Sequence, residues 1–225
     1  MPSIEIIIVA AGSGLRYGAP LPKQFCLLAG RPLLMHTIDR LRSLLPEAGL
    51  TIVISRDMAD FWQKLCSDYK FRSPRIVFGG SSRWESVRNA ISSSDEKAGI
   101  IMVHDGVRPL VDSNIINGLT EALDDPDVDG AIPAIPVTDS LRALRADGLS
   151  ESVDRSIMRA VQTPQAFRAN CLRQAYSLPY RDSFTDDASV MEAAGFSNLR
   201  LTGGSASNIK ITNPGDIAVA ELLMK

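Results

Sequence analysis

Residues 4–10 form a nearly unbroken β-branched run that passes directly into the small, glycine-rich stretch Ala11-Gly12-Ser13-Gly14. A strand apolar at successive positions is covered on both faces, the condition of a strand inside a parallel sheet. Similar runs recur at 50–55, 75–78, 100–104 and 130–135. Helical spacing separates them. Pro32 suits a first helical position, with Leu33, Leu34, Ile38, Leu41 and Leu45 marking an apolar face. Ser82 and Glu85 fit a capping box, with Val87, Ala90 and Ile91 facing inward, and Asp112 or Ser113 can cap a helix running to about Leu123. Such alternation predicts right-handed crossovers and an α/β fold with a mostly parallel sheet. At 225 residues, one domain spanning 1–225 is the economical reading.

The alternation breaks at Pro133 and Pro136. Residues 137–160 are short, charged and alternating around Ala146-Asp147-Gly148, where Asp-Gly signals a hairpin. The segment reads as a two-stranded β-arm leaving the core, and a lone hairpin needs something to pack on; a second subunit is the simplest candidate. Beyond it, 167–177 and 185–194 read as helices with Gly195 as a C-cap, and 199–202 and 208–211 read as strands. Asn213, Pro214 and Asp216 suit N-cap, N1 and N3 of a last helix.

Composition narrows the function classes. Lys plus Arg is 24 and Asp plus Glu 26, a balance that argues against a general nucleic-acid binder. The three cysteines are scattered, with no Cys-x-x-Cys, and two histidines cannot build a multi-histidine metal site. No early apolar stretch has the form of a secretory signal or membrane span, so the reducing cytoplasm is the expected location.

The turn after the first strand lets backbone N–H groups approach phosphate oxygens, at the place where open α/β sheets bind ligands. It is no Walker A loop, lacking Gly-Lys-Ser/Thr, and Gly18 falls one residue too late for a dinucleotide fingerprint. Two fixed cations, Arg16 and Lys23, follow it and can stabilise charge at a reacting phosphate. Asp105 ends an apolar strand; beside polyphosphate it would anchor Mg²⁺, or else cap a helix or pair with Arg108. Gly79-Gly80, with Ser86 on the next helix, can form a close-fitting wall for a base. His104 reads as a packed strand-end histidine, and Lys210 as the protective lysine of an edge strand.

Six segments occur in order: Ala10-Ala11-Gly12-x-Gly14-x-Arg16 with Pro22-Lys23-Gln24; Gly79-Gly80-x-x-Arg83-x-x-Ser86-Val87; Val103-His104-Asp105-Gly106-Val107-Arg108-Pro109; Pro136-Val137-Thr138-Asp139-Ser140; Gln162-Thr163-Pro164-Gln165; and Thr185-Asp186-Asp187-Ala188-Ser189 leading to Asn208-Ile209-Lys210-Ile211-Thr212. Together, and over essentially the whole chain, they resemble the 2-C-methyl-D-erythritol 4-phosphate cytidylyltransferases of the non-mevalonate isoprenoid pathway. That resemblance implies a three-layer α/β/α, Rossmann-like nucleotidyltransferase fold and a homodimer joined through the β-arm. The implied reaction is transfer of CMP from CTP to 2-C-methyl-D-erythritol 4-phosphate with release of pyrophosphate. It implies charge stabilisation by Arg16, Lys23 and Lys210, with Mg²⁺ near Asp105, and a nucleotide pocket from Ala10, Ala11, Gly12, Ser13, Gly14, Gly80 and Ser86. Asp105, Arg108 and Thr163 are implied substrate contacts, and Ser140 and Arg155 would serve the neighbouring subunit's site. Two positions depart from the family pattern: Ser140 stands where Thr is frequent, and Gly106-Val107 where Ala-Ala is frequent. The rivals are a ribitol 5-phosphate cytidylyltransferase, a dinucleotide-dependent oxidoreductase and a non-catalytic nucleotide sensor.

Overall fold

The computed structural model describes residues 2–12 and 21–224. Its elements run β1 (Ile4–Val9), β2 (Leu27–Leu28), β3 (Arg31–Pro32), α1 (Leu33–Leu44), β4 (Gly49–Ile54), α2 (Ala59–Asp68), β5 (Arg75–Phe78), α3 (Arg83–Ser92), β6 (Ile100–Asp105), α4 (Ser113–Ala122) and β7 (Gly130–Pro136). Then come β8 (Leu141–Leu144), β9 (Ser150–Val153), β10 (Arg159–Val161), β11 (Gln165–Arg168), α5 (Ala169–Ala175), α6 (Asp187–Ala193), β12 (Leu199–Gly203) and α7 (Gly215–Leu223).

Among the described residues the main sheet has eight strands in the order β10-β7-β11-β6-β1-β4-β5, with β12 also on β7. The pairs β1–β4, β1–β6, β4–β5 and β7–β12 are parallel; β11 runs against both β6 and β7, and β10 against β7. From β1 the chain builds outward through β4 to β5, then returns to place β6 on the other side of β1. The strand order therefore reverses between β1 and β6, and the crevice outside their carboxyl ends is where such sheets take ligands.

β1 explains why both faces must be covered. Ile6 and Ile8 point into one core with Leu34, Ile38, Leu41, Trp62, Ile115 and Leu119; Ile7 points into the other with Val87, Ile91, Phe167, Leu172 and Met191. The two-residue period thus divides one apolar run between two layers of helices, α1, α2 and α4 on one side and α3, α5 and α6 on the other. A third, smaller core of Leu28, Leu33, Val107, Ile211 and Ala220 ties the β2–β3 hairpin and α7 to the turn after β6. At the opposite, amino-terminal end of the sheet, Arg75 reaches the nearly buried Glu5 at 2.7 Å, and Thr51 donates to the same carboxylate oxygen at 2.7 Å.

Several local expectations are corrected. Pro32 pairs with Leu27 and precedes the helix, its ψ of 130° being extended. Residues 167–168 belong to β11 rather than to a helix, because Phe167 is drawn between β6 and β7 with no surface exposed. Residues 208–211 form no strand; their backbone is pinned along the turn after β6, where the Ile211 N–H donates to the Val107 carbonyl. Pro214, not Asn213, precedes α7, and the cap runs in reverse: the Asp216 carboxylate accepts from the N–H groups of Thr212 and Asn213. Only half of the expected capping box forms at α3. The Ser82 hydroxyl accepts from the Glu85 N–H, while the Glu85 carboxylate reaches one residue further back to Ser81.

Within the segment read as an arm, Arg159 and Ala160 belong to β10 on the main sheet, whereas β8 and β9 pair antiparallel apart from that sheet and Gly148 takes φ +81° in the turn. That conformation ends a three-residue hairpin loop and favours glycine.

Candidate active site

A cavity of about 820 Å³ opens at the carboxyl ends of β1, β5 and β6, where the first turn of α3 also points. Ala10, Ala11, Gly12, Lys23, Gly80, Ser86, Asp105 and Lys210 all line it, so the fold brings together residues from four separate stretches of sequence. Ser13, Gly14 and Arg16 lie outside the described residues.

One wall is made by close backbone approach. A Cβ on Gly79 would stand 2.5 Å from the Ala11 methyl carbon and 2.8 Å from the Ser86 Oγ. A Cβ on Gly80 would meet the Glu85 side chain at 2.3 Å. Gly79 is hemmed in by short, fixed side chains and leaves no room for a Cβ, whereas at Gly80 the flexible Glu85 side chain would have to move. The Ser86 hydroxyl accepts from the Gly80 N–H at 3.1 Å and donates to the Ser82 carbonyl at 2.8 Å, fixing that wall to α3.

The opposite side carries charge. Asp105 ends β6 almost fully buried, and its Oδ2 accepts from Lys210 Nζ at 3.0 Å and Arg108 Nε at 3.2 Å. Arg108 also donates to the Asn208 carbonyl at 2.8 Å, and the Asn208 side chain donates to the Thr163 carbonyl at 2.9 Å. The 208–211 segment is thereby held against the turn after β6, and the edge-strand reading of Lys210 is corrected: it faces a carboxylate inside the cavity. Burial alone would push the Asp105 carboxyl up, but Lys210, Arg83 and Arg108 hold it well below the usual carboxylate range.

Thr163 and Arg108 lie behind this surface. The Asp105 N–H donates to the Thr163 hydroxyl at 3.0 Å, and that hydroxyl meets His104 Nδ1 at 3.1 Å. His104 Nε2 lies 3.0 Å from the Arg108 carbonyl, an acceptor only, so Nε2 carries the proton and Nδ1 accepts from Thr163. Burial lowers the histidine to about 4, which keeps it neutral. His104 is thus the packed strand-end residue its position suggested. Ser140 and Arg155 sit at the base of the arm, exposed and away from this cavity; the Arg155 guanidinium donates to the Thr138 carbonyl.

Three contributors were not assigned from sequence. Gln24 is buried in the cavity wall beside Lys23. Arg83 lines the cavity and makes a two-pronged pair with the fully buried Asp187, at 3.1 and 2.6 Å. Tyr176 donates to the same Asp187 carboxylate at 2.6 Å. Gln24, Arg83 and Asp187 all lay inside the quoted segments, and the signal was that each segment carries more polar residues than a cap or turn requires.

Asp105 is the one carboxylate of the described cavity lining, and no group of three His, Cys, Asp or Glu side chains suited to a metal occurs among the described residues. This donor set fits Mg²⁺ in its usual form, one protein carboxylate supplemented by phosphate oxygens and water, and not an all-protein cage.

Similarity places this geometry in a family. A profile described as IspD, 2-C-methyl-D-erythritol 4-phosphate cytidylyltransferase, matches residues 4–225. The 2-C-methyl-D-erythritol 4-phosphate cytidylyltransferase of Porphyromonas gingivalis is 44% identical over 220 residues, 97% of this chain and 96% of its own. That of Bacteroides thetaiotaomicron is 40% identical over 221 residues, 98% of this chain and 99% of its own. Among solved structures, the 4-diphosphocytidyl-2C-methyl-D-erythritol synthase of Anaerococcus prevotii superposes with a TM-score of 0.82 at 26% identity, covering 99% of this chain and 98% of that one. These matches disfavour the ribitol phosphate, oxidoreductase and sensor readings, and the chain belongs to the 2-C-methyl-D-erythritol 4-phosphate cytidylyltransferase family.

Proposed function

We propose that this protein transfers CMP from CTP to 2-C-methyl-D-erythritol 4-phosphate, giving 4-diphosphocytidyl-2-C-methyl-D-erythritol and pyrophosphate. The observation that carries the reading is the convergence of Lys23, Arg83 and Lys210 on one cavity, beside a wall where Gly79 packs closely on Ala11 and Ser86. An acceptor phosphate oxygen attacks the α-phosphorus of CTP, a new P–O bond forms, and the bond to the β-phosphate oxygen breaks with pyrophosphate leaving. That nucleophile is already anionic, so no general base is required. The protein's work is positioning and charge stabilisation, which suits a site built from fixed cations.

In this proposal Lys23, Lys210 and Arg16 stabilise charge at the reacting phosphates. Arg108 holds Asp105 and, with Thr163 and His104, fixes the turn that presents it. Mg²⁺ bound at Asp105 would neutralise the triphosphate. The arm is proposed to pair two copies and bring Ser140 and Arg155 to the partner's cavity; its exposed Leu144, Leu149 and Ile157 support a surface that another chain covers. The free thiols of Cys66 and Cys171 suit the reducing cytoplasm proposed for it.

Pyrophosphate release should require both CTP and 2-C-methyl-D-erythritol 4-phosphate. A protein that releases none with this pair, or that turns over ribitol 5-phosphate faster, would overturn the assignment.

A further inference from the structure

Gln24 sits on the short 3-10 turn Lys23–Phe25 with only 3% of its surface exposed. Its amide nitrogen Nε2 donates to the Ala10 carbonyl at 2.7 Å and to the Gly12 carbonyl at 2.9 Å. Both amide hydrogens are therefore committed, and the side chain cannot be turned over, since its oxygen would then face two other oxygens. These two carbonyls belong to the strand end that lines the cavity.

A carbonyl oxygen turned toward a polyanion repels it, whereas an N–H attracts it. In a trans peptide the two groups point in opposite directions. Holding the Ala10 carbonyl therefore also sets the direction of the Ala11 N–H, for which no acceptor occurs among the described residues. The same side chain joins the turn that carries Lys23 to the end of β1, so the lysine and the backbone wall keep one spacing.

We infer that Gln24 is a positioning residue for the phosphate-binding wall. It sequesters the Ala10 and Gly12 carbonyls so that the strand end offers donors to the triphosphate, and it holds the Lys23 turn in register with them. No bond to substrate is assigned to it. The inference rests on the CTP reading of this cavity.

The test uses the full chain with Gln24→Leu, which keeps the volume and removes the donors, and Gln24→Glu, which puts a carboxylate opposite two carbonyls. Five quantities are read: melting temperature, kcat and KM for CTP, and the inhibition constants of inorganic triphosphate and of cytidine. In Gln24→Leu, kcat/KM for CTP should fall about tenfold to a hundredfold, the cost of a misplaced reacting group. Inhibition by triphosphate should weaken alongside it, while cytidine inhibition and cooperative melting persist; Gln24→Glu should be worse on the triphosphate measures. Wild-type kcat/KM in Gln24→Leu, or equal weakening of cytidine and triphosphate, would overturn the inference. Should Gln24→Leu fail to fold, Gln24→Asn, which keeps the amide but cannot span both carbonyls, is read by the same measures; collapse of that variant too would reduce Gln24 to a packing role and overturn the inference. If wild-type protein binds triphosphate in a Gln24-dependent way yet releases no pyrophosphate, the reaction assignment fails while the role of Gln24 stands.

Discussion

Lys210 Nζ lies 3.0 Å from the Asp105 Oδ2, although the two residues come from distant parts of the chain. The lysine's charge faces that carboxylate inside the cavity. A triphosphate entering the cavity offers that lysine a stronger anion. Lys210→Met should therefore leave the fold intact, because Arg108 still holds Asp105, and lower turnover by about 10²–10³. Pyrophosphate release at saturating CTP and acceptor measures this, and unchanged turnover would remove Lys210 from the mechanism.

Asp187 is buried beneath the first turn of α3 and takes both prongs of the Arg83 guanidinium together with the Tyr176 hydroxyl. Asp187→Asn leaves a guanidinium short of its counter-charge and should destabilise the fold by about 3 kcal/mol. Tyr176→Phe removes one hydrogen bond to a charged group and should cost about 1.5 kcal/mol. Urea denaturation reads both; a loss under about 0.5 kcal/mol in the aspartate variant would mean the pair is energetically inert.

His104 makes stability depend on pH in a defined window. In the unfolded chain the imidazole protonates near 6.5; in the native protein burial holds that step down to about 4. Between those values the unfolded chain binds the extra proton, so native stability falls as pH drops, by about 3 kcal/mol across the window, and is unaffected above it. Urea midpoints from pH 7.5 to 4, without added divalent cation, should show that slope in wild type and less of it in His104→Gln. Parallel slopes in the two proteins would disprove the assignment.

The arm exposes 81% of Leu144 and 76% of Ile157. If a second copy covers them, Leu144→Asp and Ile157→Asp should convert a dimer to a monomer and abolish turnover while leaving the melting of the core unaltered. Sedimentation velocity distinguishes these states, and a wild-type protein that stays monomeric at high concentration would refute dimerisation through the arm.

The layered α/β core was legible because β-branched runs and helical spacing are local signals, repeated often enough to identify the class. β11 escaped because Gln165–Arg168 has no β-branched residue, unlike the equally short β5, and its place is set by the strands on either side. The 208–211 segment looked like a strand because its polar–apolar alternation is shared by true strands and by segments pinned through turns and side chains. Within the cavity, the glycines and Asp105 could be read from their position after strands. The pairing of Arg83 with Asp187 could not, since neither residue carries any local mark of the other. Gln24 was hidden for a related reason: its partners are main-chain carbonyls, and every residue type supplies those.

Glu5 and Ala10 terminate the same short stretch of chain at opposite ends, and only one end faces the chemistry. Glu5 and Thr51 are buried there, and Arg75 reaches the carboxylate from the surface with its side chain 45% exposed, at a place that no substrate has to enter. Swapping such an ion pair for well-packed apolar side chains is often neutral or favourable. An engineer seeking a heat-tolerant version of this catalyst can begin there, a full strand's length from the reacting phosphates.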